Sequence, residues 1–361
     1  MRQSVSAWPQ IRYEPVTDAG GELADRNAVR RAGVLWALQY DRRPEDLPLL
    51  RLLVEQEARC RRDAPFQGLG DAAELAGHLL SEHRDVSDVW LHWEMKRANF
   101  DTWCGYDREH LLAAGVADTI AFVRDADHPD RADVLAALVD ERGEPRVTEA
   151  ELDEWFAGKR ERFPEDPAQE DPLTWIDRAR LAGDREQARR MLDRWASERA
   201  GDPSTKSLLR HLLEELGDFA AAAWAQRDLL SVTVKPFDKA GAWLKLAELE
   251  REAGDHDAAW QALRECRNTL VHVSDWQEYG LGRSYIEELF RLAAVAAEPL
   301  ARSVFAEAVQ VAPTVPRLPL VAFQAAAGAA ERVGDRRHVR HYRAAVDAER
   351  RRIAEMKRKT R

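Results

Sequence analysis

The residue types able to do chemistry concentrate in one stretch, VWLHWEMKRANFDTWCGYDREH (89–110), which packs three tryptophans, Phe100, Tyr106, Cys104, His92 and His110 into 22 positions. A nucleophilic thiol at Cys104 would need an imidazole within hydrogen-bonding reach, and His92 and His110 are the near candidates. A zinc or iron site would need imidazole and carboxylate on a common face. His92 and Glu94 are two residues apart, Glu109 and His110 are adjacent, and no HExxH occurs, so this spacing predicts no metal. A ligand site is a further reading. Trp90, Trp93 and Arg97 fall on one helical face beside Lys96, and Asn99, Asp101 and Thr102 lie where the helix should break into a ligand-holding loop. The same residues also read as an aromatic core with capped helix ends, the commoner use of such a cluster.

Elsewhere the chain lacks GxGxxG, GxxxxGK[ST], GxSxG and CxxC. The acidic pairs Glu214–Glu215 and Glu287–Glu288 sit on arginine-rich amphipathic patterns, where carboxylates serve as solvated faces and i,i+4 partners. The expectation is a non-enzymatic protein with no cofactor.

Helices carry these residues. Charged residues make up 33% of the 361-residue chain, and Ala, Leu, Arg and Glu dominate, which predicts an all-α class. Apolar residues recur at three- and four-residue intervals in ELADRNAVRRAGVLWALQY, PEDLPLLRLLVEQEARCRR, LGDAAELAGHLLSEH and VSDVWLHWEMKRANF. DREHLLAAGVADTIAFVRD, RADVLAALVDERG and TEAELDEWFAGKRERF continue the series, the last opened by a capping box of Thr148 and Glu151. Only SAWPQIRYEPV reads as extended, an arm or a frayed end. The polar, proline-rich GKRERFPEDPAQEDP (158–172) reads as a junction, which divides the chain into a helical region 1–165 and a second region 166–361.

The second region is internally repetitive. WIDRARLAGDREQARRML, LLRHLLEELGDFAAAAWAQRDLL, AWLKLAELEREAGDHDAAWQALREC and FQAAAGAAERVGDRRHVRHYRAAV each join an apolar helix to an Ala-rich one through Gly-Asp, at Gly183, Gly217, Gly254 and Gly334. Glycine accepts the positive φ that closes the first helix, and aspartate caps the second. These segments resemble tetratricopeptide repeats, most closely at 240–273 through Trp243, Leu246, Ala247, Gly254, Asp255, Ala259 and Leu263. The register extends to 169–202, 203–236, 283–316 (with Ala297 and Glu298 in place of Gly-Asp) and 320–353, so the resemblance covers 169–353.

That resemblance implies a right-handed α-α superhelix, a TPR-like solenoid, whose first helices line a concave protein-binding groove. Carried over, the groove positions are Asp177, Arg180, His211, Glu214, Glu215, Leu244, Glu248, Arg251, Glu252, Glu287, Arg291, Glu331 and Arg332, acidic early and basic late. A peptide or helix of opposite polarity would be favoured. The carboxylate clamp of chaperone-binding members is missing, its positions holding Leu173, Asp177, Ser207 and His211. The resulting expectation is a scaffold or regulator that binds a protein or peptide, with a small-ligand binder or enzyme centred on 89–110 as the alternative.

Net charge is −10, which argues against general nucleic-acid binding. Locally, Glu349–Arg361 carries seven basic residues against two acidic ones, a solvated helix end that is also able to meet RNA, a membrane surface or an acidic partner. Cys60, Cys104 and Cys266 are too scattered for a disulfide framework and read as buried thiols of a cytoplasmic protein. No apolar run reaches the roughly 20 residues of a membrane span. Arginine far outnumbers lysine, a codon-usage hint of a GC-rich bacterial genome.

Overall fold

The computed structural model of the chain describes residues 5–17, 23–63, 68–199 and 203–359. These are almost entirely helical, and the chain divides into two compact units, Met1–Gly183 and Asp184–Arg361. That division falls inside the first predicted repeat. No helix among the described residues is long and apolar enough to cross a membrane.

The first unit opens with a 3-10 helix, Val5–Ile11, and a small antiparallel pair, β1 (Pro15–Thr17) and β2 (Leu23–Asp25), with Pro15 opposite Asp25. The stretch expected to be extended is thus a 3-10 helix over its first half, and only its end, from Pro15, is a strand, paired with β2. Its anchor is Arg31 in α1 (Ala28–Tyr40), a fully buried guanidinium that contacts Asp25 at 2.7 Å and Glu57 at 2.6 Å and donates to the carbonyl of Ile11. A buried cation must be matched by charge and hydrogen bonds, so this contact fixes the hairpin to the helices.

α2 (Leu47–Asp63) and α3 (Asp71–Ser81) complete a first core around Ile11, Leu35, Leu53 and Leu79. A second core, around Trp93, Ile120, Leu138, Leu152 and Phe156, gathers α4 (Val89–Lys96), α6 (Val116–Asp125), α7 (Arg131–Leu138) and α8 (Glu149–Arg162), with the short α5 (Phe100–Gly105) between α4 and α6. The helix carrying Trp90 and Trp93 breaks before Asn99, where the sequence places its end, and a second predicted helix is divided into a 3-10 turn, Arg108–Leu112, and α6 beyond Gly115 at φ 117°. The Thr148–Glu151 box caps α8 as the sequence predicts.

The junction read at 158–172 is packed down within the first unit. Gln39 donates to Pro164 O at 3.0 Å and to Glu170 at 2.9 Å, and Arg42 donates to Phe163 O at 3.1 Å. Arg178 of α9 (Pro172–Leu181) then donates to Gln39 at 2.6 Å and to the Tyr40 hydroxyl at 2.5 Å. Pro172 occupies the first helical position, where its missing N–H costs nothing.

The second unit comprises α10 (Arg185–Glu198), α11 (Pro203–Glu215), α12 (Phe219–Val232), α13 (Pro236–Ala253), α14 (His256–Leu270), α15 (Gly280–Val295), α16 (Leu300–Val311), α17 (Leu320–Arg332) and α18 (Arg336–Lys359). Each predicted repeat thus corresponds to two helices. Packing runs along the chain, α11 on α12, α12 on α13, α13 on α14, α15 on both α16 and α17, and α17 on α18. Fully buried alanines at the crossings, among them Ala222, Ala247, Ala259 and Ala293, let the axes approach closely.

One turn geometry recurs. Gly183, Gly217, Gly254 and Gly334 have φ between 73° and 85°. The aspartate after each accepts the amide hydrogen three residues on, from Gln187, Ala221, Ala258 and His338, at 2.9–3.1 Å. The amides of Asp218, Asp255 and Asp335 reach back to Leu213, Glu250 and Ala330 at 2.9 Å, closing the preceding helix. The inserted segment after α14 is equally ordered. Trp276 is buried beneath Arg267, 4.8 Å from ring centre to guanidinium, and lies edge-on to Tyr285.

No neighbouring atom would meet a Cβ at Gly254, so replacing it isolates the backbone effect. Gly254→Ala is expected to cost about 1 kcal/mol by forcing an L-residue into left-handed backbone, and Asp255→Ala about 1 kcal/mol through the lost cap. Urea unfolding should show both losses, with Asp255→Asn close to the parent. Equal stability of all three variants would contradict this account of the turns.

Candidate functional site

The 89–110 stretch folds around its break at Asn99. The Asn99 side chain accepts the amide of Thr102 at 2.8 Å, and Thr102 Oγ1 accepts the amide of Asn99 at 2.9 Å, a reciprocal cap that starts α5. Lys96 folds back and donates to the carbonyls of Trp103 at 3.0 Å and Tyr106 at 2.6 Å, satisfying backbone acceptors at the end of α5. Its ammonium lies 5.5 Å from the Trp103 ring centre.

Between these pieces and α7 is a cleft of about 600 Å³, walled by Trp93, Lys96, Arg97, Trp103 and Arg108 on one side and by Asp133, Ala136, Ala137 and Arg146 on the other. The two indoles meet edge to face, centroids 5.9 Å apart. Trp93 is buried and its ring N–H has no acceptor, whereas Trp103 is half exposed. Arg97 is bound by Glu94 and by Asp130, the latter at 2.9 Å. Arg108 and Arg146 make no ion pair among the described residues. Burial and the charge of Arg108 both push the Lys96 ammonium below its ordinary pKa, against the opposing pull of Asp107 and Glu109.

Three residues proposed from sequence, Trp93, Lys96 and Arg97, therefore line a cleft. Trp90, Asn99 and Asp101 are corrected. Trp90 packs on the same core as Trp93 but is not among the residues lining the cleft, its ring stacking on His128 with ring centres 3.8 Å apart, Asn99 is consumed by the cap, and Asp101 lies in the first turn of α5. Arg108 and Arg146 were missed. Arg146 arrives only because the chain doubles back at the bridge between Val139 and Pro145. Cys104, expected to be buried, is exposed, while Cys60 and Cys266 are buried and their thiols are raised by burial, Cys266 to about 12.

The histidines of the stretch turn inward. His92 Nδ1 and the Tyr106 hydroxyl share a hydrogen bond of 2.7 Å, and His110 stacks on Tyr106 with ring centres 4.2 Å apart. Ser81 Oγ donates to the carbonyl of Gly77 and lies 2.9 Å from His110 Nδ1. A Cβ at Gly77 would collide with the Tyr106 ring, so glycine is required there. Ser81 and both rings are buried, which makes this contact a packing device. Lys159 pairs with Glu74 and, at 2.8 Å, with Asp107, which also accepts the Trp155 N–H at 2.8 Å. Burial works to raise the Asp107 carboxyl, but these donors outweigh it and hold it low.

The residues carried over as groove positions fall on two units. Asp177 and Arg180, on α9, pair with each other at 2.5 Å. On the second unit, His211 and Glu215 lie on α11, 3.9 Å apart, and Glu248, Arg251 and Glu252 lie on α13. Glu287 and Arg291 pair along α15 at 2.5 Å, and Arg332 on α17 donates to Ala296 O at 3.1 Å. Leu244 is a correction: it is buried, a core side chain unable to face a ligand. Arg251 is largely covered, held by Glu288 at 2.6 Å, whose carboxyl burial pushes up to about 7 against the pull of Arg251. Lys245 bridges Glu214 and Glu248, each at 2.9 Å. In the basic tail, Arg352 pairs with Glu349 at 2.6 Å, and Thr360 and Arg361 lie outside the described residues.

No protein-family model matches the chain, and no curated protein matches it.

The buried imidazoles give the first unit a pH-dependent stability. Burial lowers His78 and His92 to about 3, and His110 well below its ordinary value. Their folded-state pKa values are depressed, so the stabilisation is complete above the unfolded value near 6.5 and is lost as pH falls toward 3. Each contributes up to about 1.4 kcal/mol per pH unit in that window. Both ring nitrogens of His78 lack hydrogen-bond partners, and its ring stacks on Phe163. His78→Phe is expected to gain stability over the parent at about pH 5 relative to about pH 7.5. Parallel stability-against-pH curves for the two proteins would refute the linkage.

Proposed function

We propose that the second unit is a tetratricopeptide-like, right-handed superhelix that binds a peptide or helix of another protein, and that the chain is a non-catalytic scaffold or regulator acting in the cytoplasm. The observation that carries this reading is a set of contacts between alternate helices. Lys245 of α13 reaches Glu214 of α11, Arg251 of α13 reaches Glu288 of α15, and Arg332 of α17 reaches the carbonyl that caps α15. Contacts between alternate helices are what a stack with the first helices of successive pairs side by side would give along its inner wall.

On that wall the charges run from acidic on α11 and α13 (Glu215, Glu248, Glu252) to more basic on α15 and α17 (Arg291, Arg332). Much of this charge is already committed between neighbours, so it aligns helices as well as attracting a partner. The favoured partner segment is basic at one end and acidic at the other, and charge would act chiefly on orientation and on-rate. Exposed Phe237 and Tyr279, edge to face at 5.9 Å, with exposed Val234 nearby in sequence, offer apolar anchorage on the same unit.

Selection of a displayed peptide library against the intact protein tests the reading. Peptides with that charge polarity should be enriched, and Glu215→Lys with Glu252→Lys should weaken them about tenfold, more at low salt than at high. Failure to enrich any peptide, or unchanged binding by the double variant, would overturn it.

A further inference from the structure

The Trp93–Trp103 cleft lies wholly in the first unit and is independent of the peptide-binding proposal. We infer that it is a binding site for a free nucleoside diphosphate, with the base against the exposed Trp103 face and the phosphates between Arg108 and Arg146.

Four features converge on this class. The cleft, at about 600 Å³, is within the usual range for small-molecule sites and larger than a single aromatic ring needs. Its lining holds Lys96, Arg97, Arg108 and Arg146 against one carboxylate, Asp133, in a chain whose net charge is −10. Arg97 is neutralised by Glu94 and Asp130, which leaves Arg108 and Arg146 as guanidiniums without a carboxylate partner among the described residues. Two such forks suit phosphate oxygens, which they can grip bidentately, better than a single carboxylate.

The aromatic wall supplies the second half of the chemistry. Trp103 is half exposed and is held by the edge of Trp93 on one side and by Lys96, whose ammonium is tied to the carbonyls of Trp103 and Tyr106. Lys96 is thus a positioning residue that fixes a ring free to stack a planar base. Asp133 gives sugar hydroxyls an acceptor, and Ala136 and Ala137 keep the opposite wall low. Glu109 lies close enough to act on the Lys96 ammonium, so a polynucleotide strand running past the cleft on that side would meet a carboxylate.

Calorimetric titration of the full chain with ADP, adenosine, inorganic phosphate and a short single-stranded DNA tests the inference. ADP is expected to bind at least about tenfold more tightly than adenosine or phosphate, with a slope against salt. Arg108→Ala with Arg146→Ala should weaken ADP about tenfold or more. Trp103→Ala should weaken it several-fold and Trp103→Phe should restore it. Thermal melts of the arginine variants should match the parent, since both side chains are exposed and make no ion pair among the described residues. No heat at about 1 mM ADP, equal affinity for phosphate alone, tighter binding of the DNA than of ADP, or full ADP affinity in the double arginine variant would each overturn it.

Discussion

A helix can stop and its antiparallel successor can start within two residues only if the first accepts left-handed backbone and the second brings its own hydrogen-bond acceptor. Gly-Asp does both at Gly217, Gly254 and Gly334, where the aspartate amide also returns to the closing helix. Because the turn is so short, the two helices emerge nearly touching. Alanine is then needed wherever they cross, and the bulkier Leu246, Leu263, Leu289 and Phe290 fill the space toward the neighbouring helices. The helices of the second unit share their cores with sequence neighbours, so removing one pair would expose the apolar face of the next.

The first unit rests on a different solution, buried polar groups that name their partners. Arg31 joins the N-terminal hairpin to α1 and α2, and Arg178 joins α9 to α1 through Gln39, Tyr40 and Glu170. A buried guanidinium gains little net stability over an apolar replacement, but a mispaired one is costly, so such contacts select one arrangement among several with similar apolar burial. The neutral imidazoles of His78, His92 and His110 belong to the same interior.

The periodic parts of the chain were legible in advance. The Gly-Asp turns, the Ala-rich second helices, the Thr148 cap and the first-turn Pro172 each carry a local cause, and each forms as read. Local pattern failed where a long-range partner decides. The extended look of SAWPQIRYEPV gave no sign that Pro15–Thr17 would pair with Leu23–Asp25 or that Arg31 would hold the pair down. Trp90 and Trp93 share a helical face and one core, yet only Trp93 meets Trp103 at the cleft while Trp90 is covered by His128, a partner 38 residues away in sequence. Leu244 was assigned by register alone, which does not distinguish a wall position from the core beneath it.

Helix periodicity, turn chemistry and caps act over a few residues, which is why a mainly helical chain, Gly-Asp-joined helices after about residue 170 and an atypical segment at 89–110 can all be read from local pattern. Which charged groups are spent on neighbours, and which have no partner among the described residues, is set by the fold in space. Arg97, Arg108 and Arg146 are alike as sequence, but one meets Glu94 and Asp130 and the other two meet no carboxylate among the described residues. That difference comes from the chain reversal that carries Arg146 back to the cleft, and electrostatic pairing depends on distances through space that no local pattern encodes.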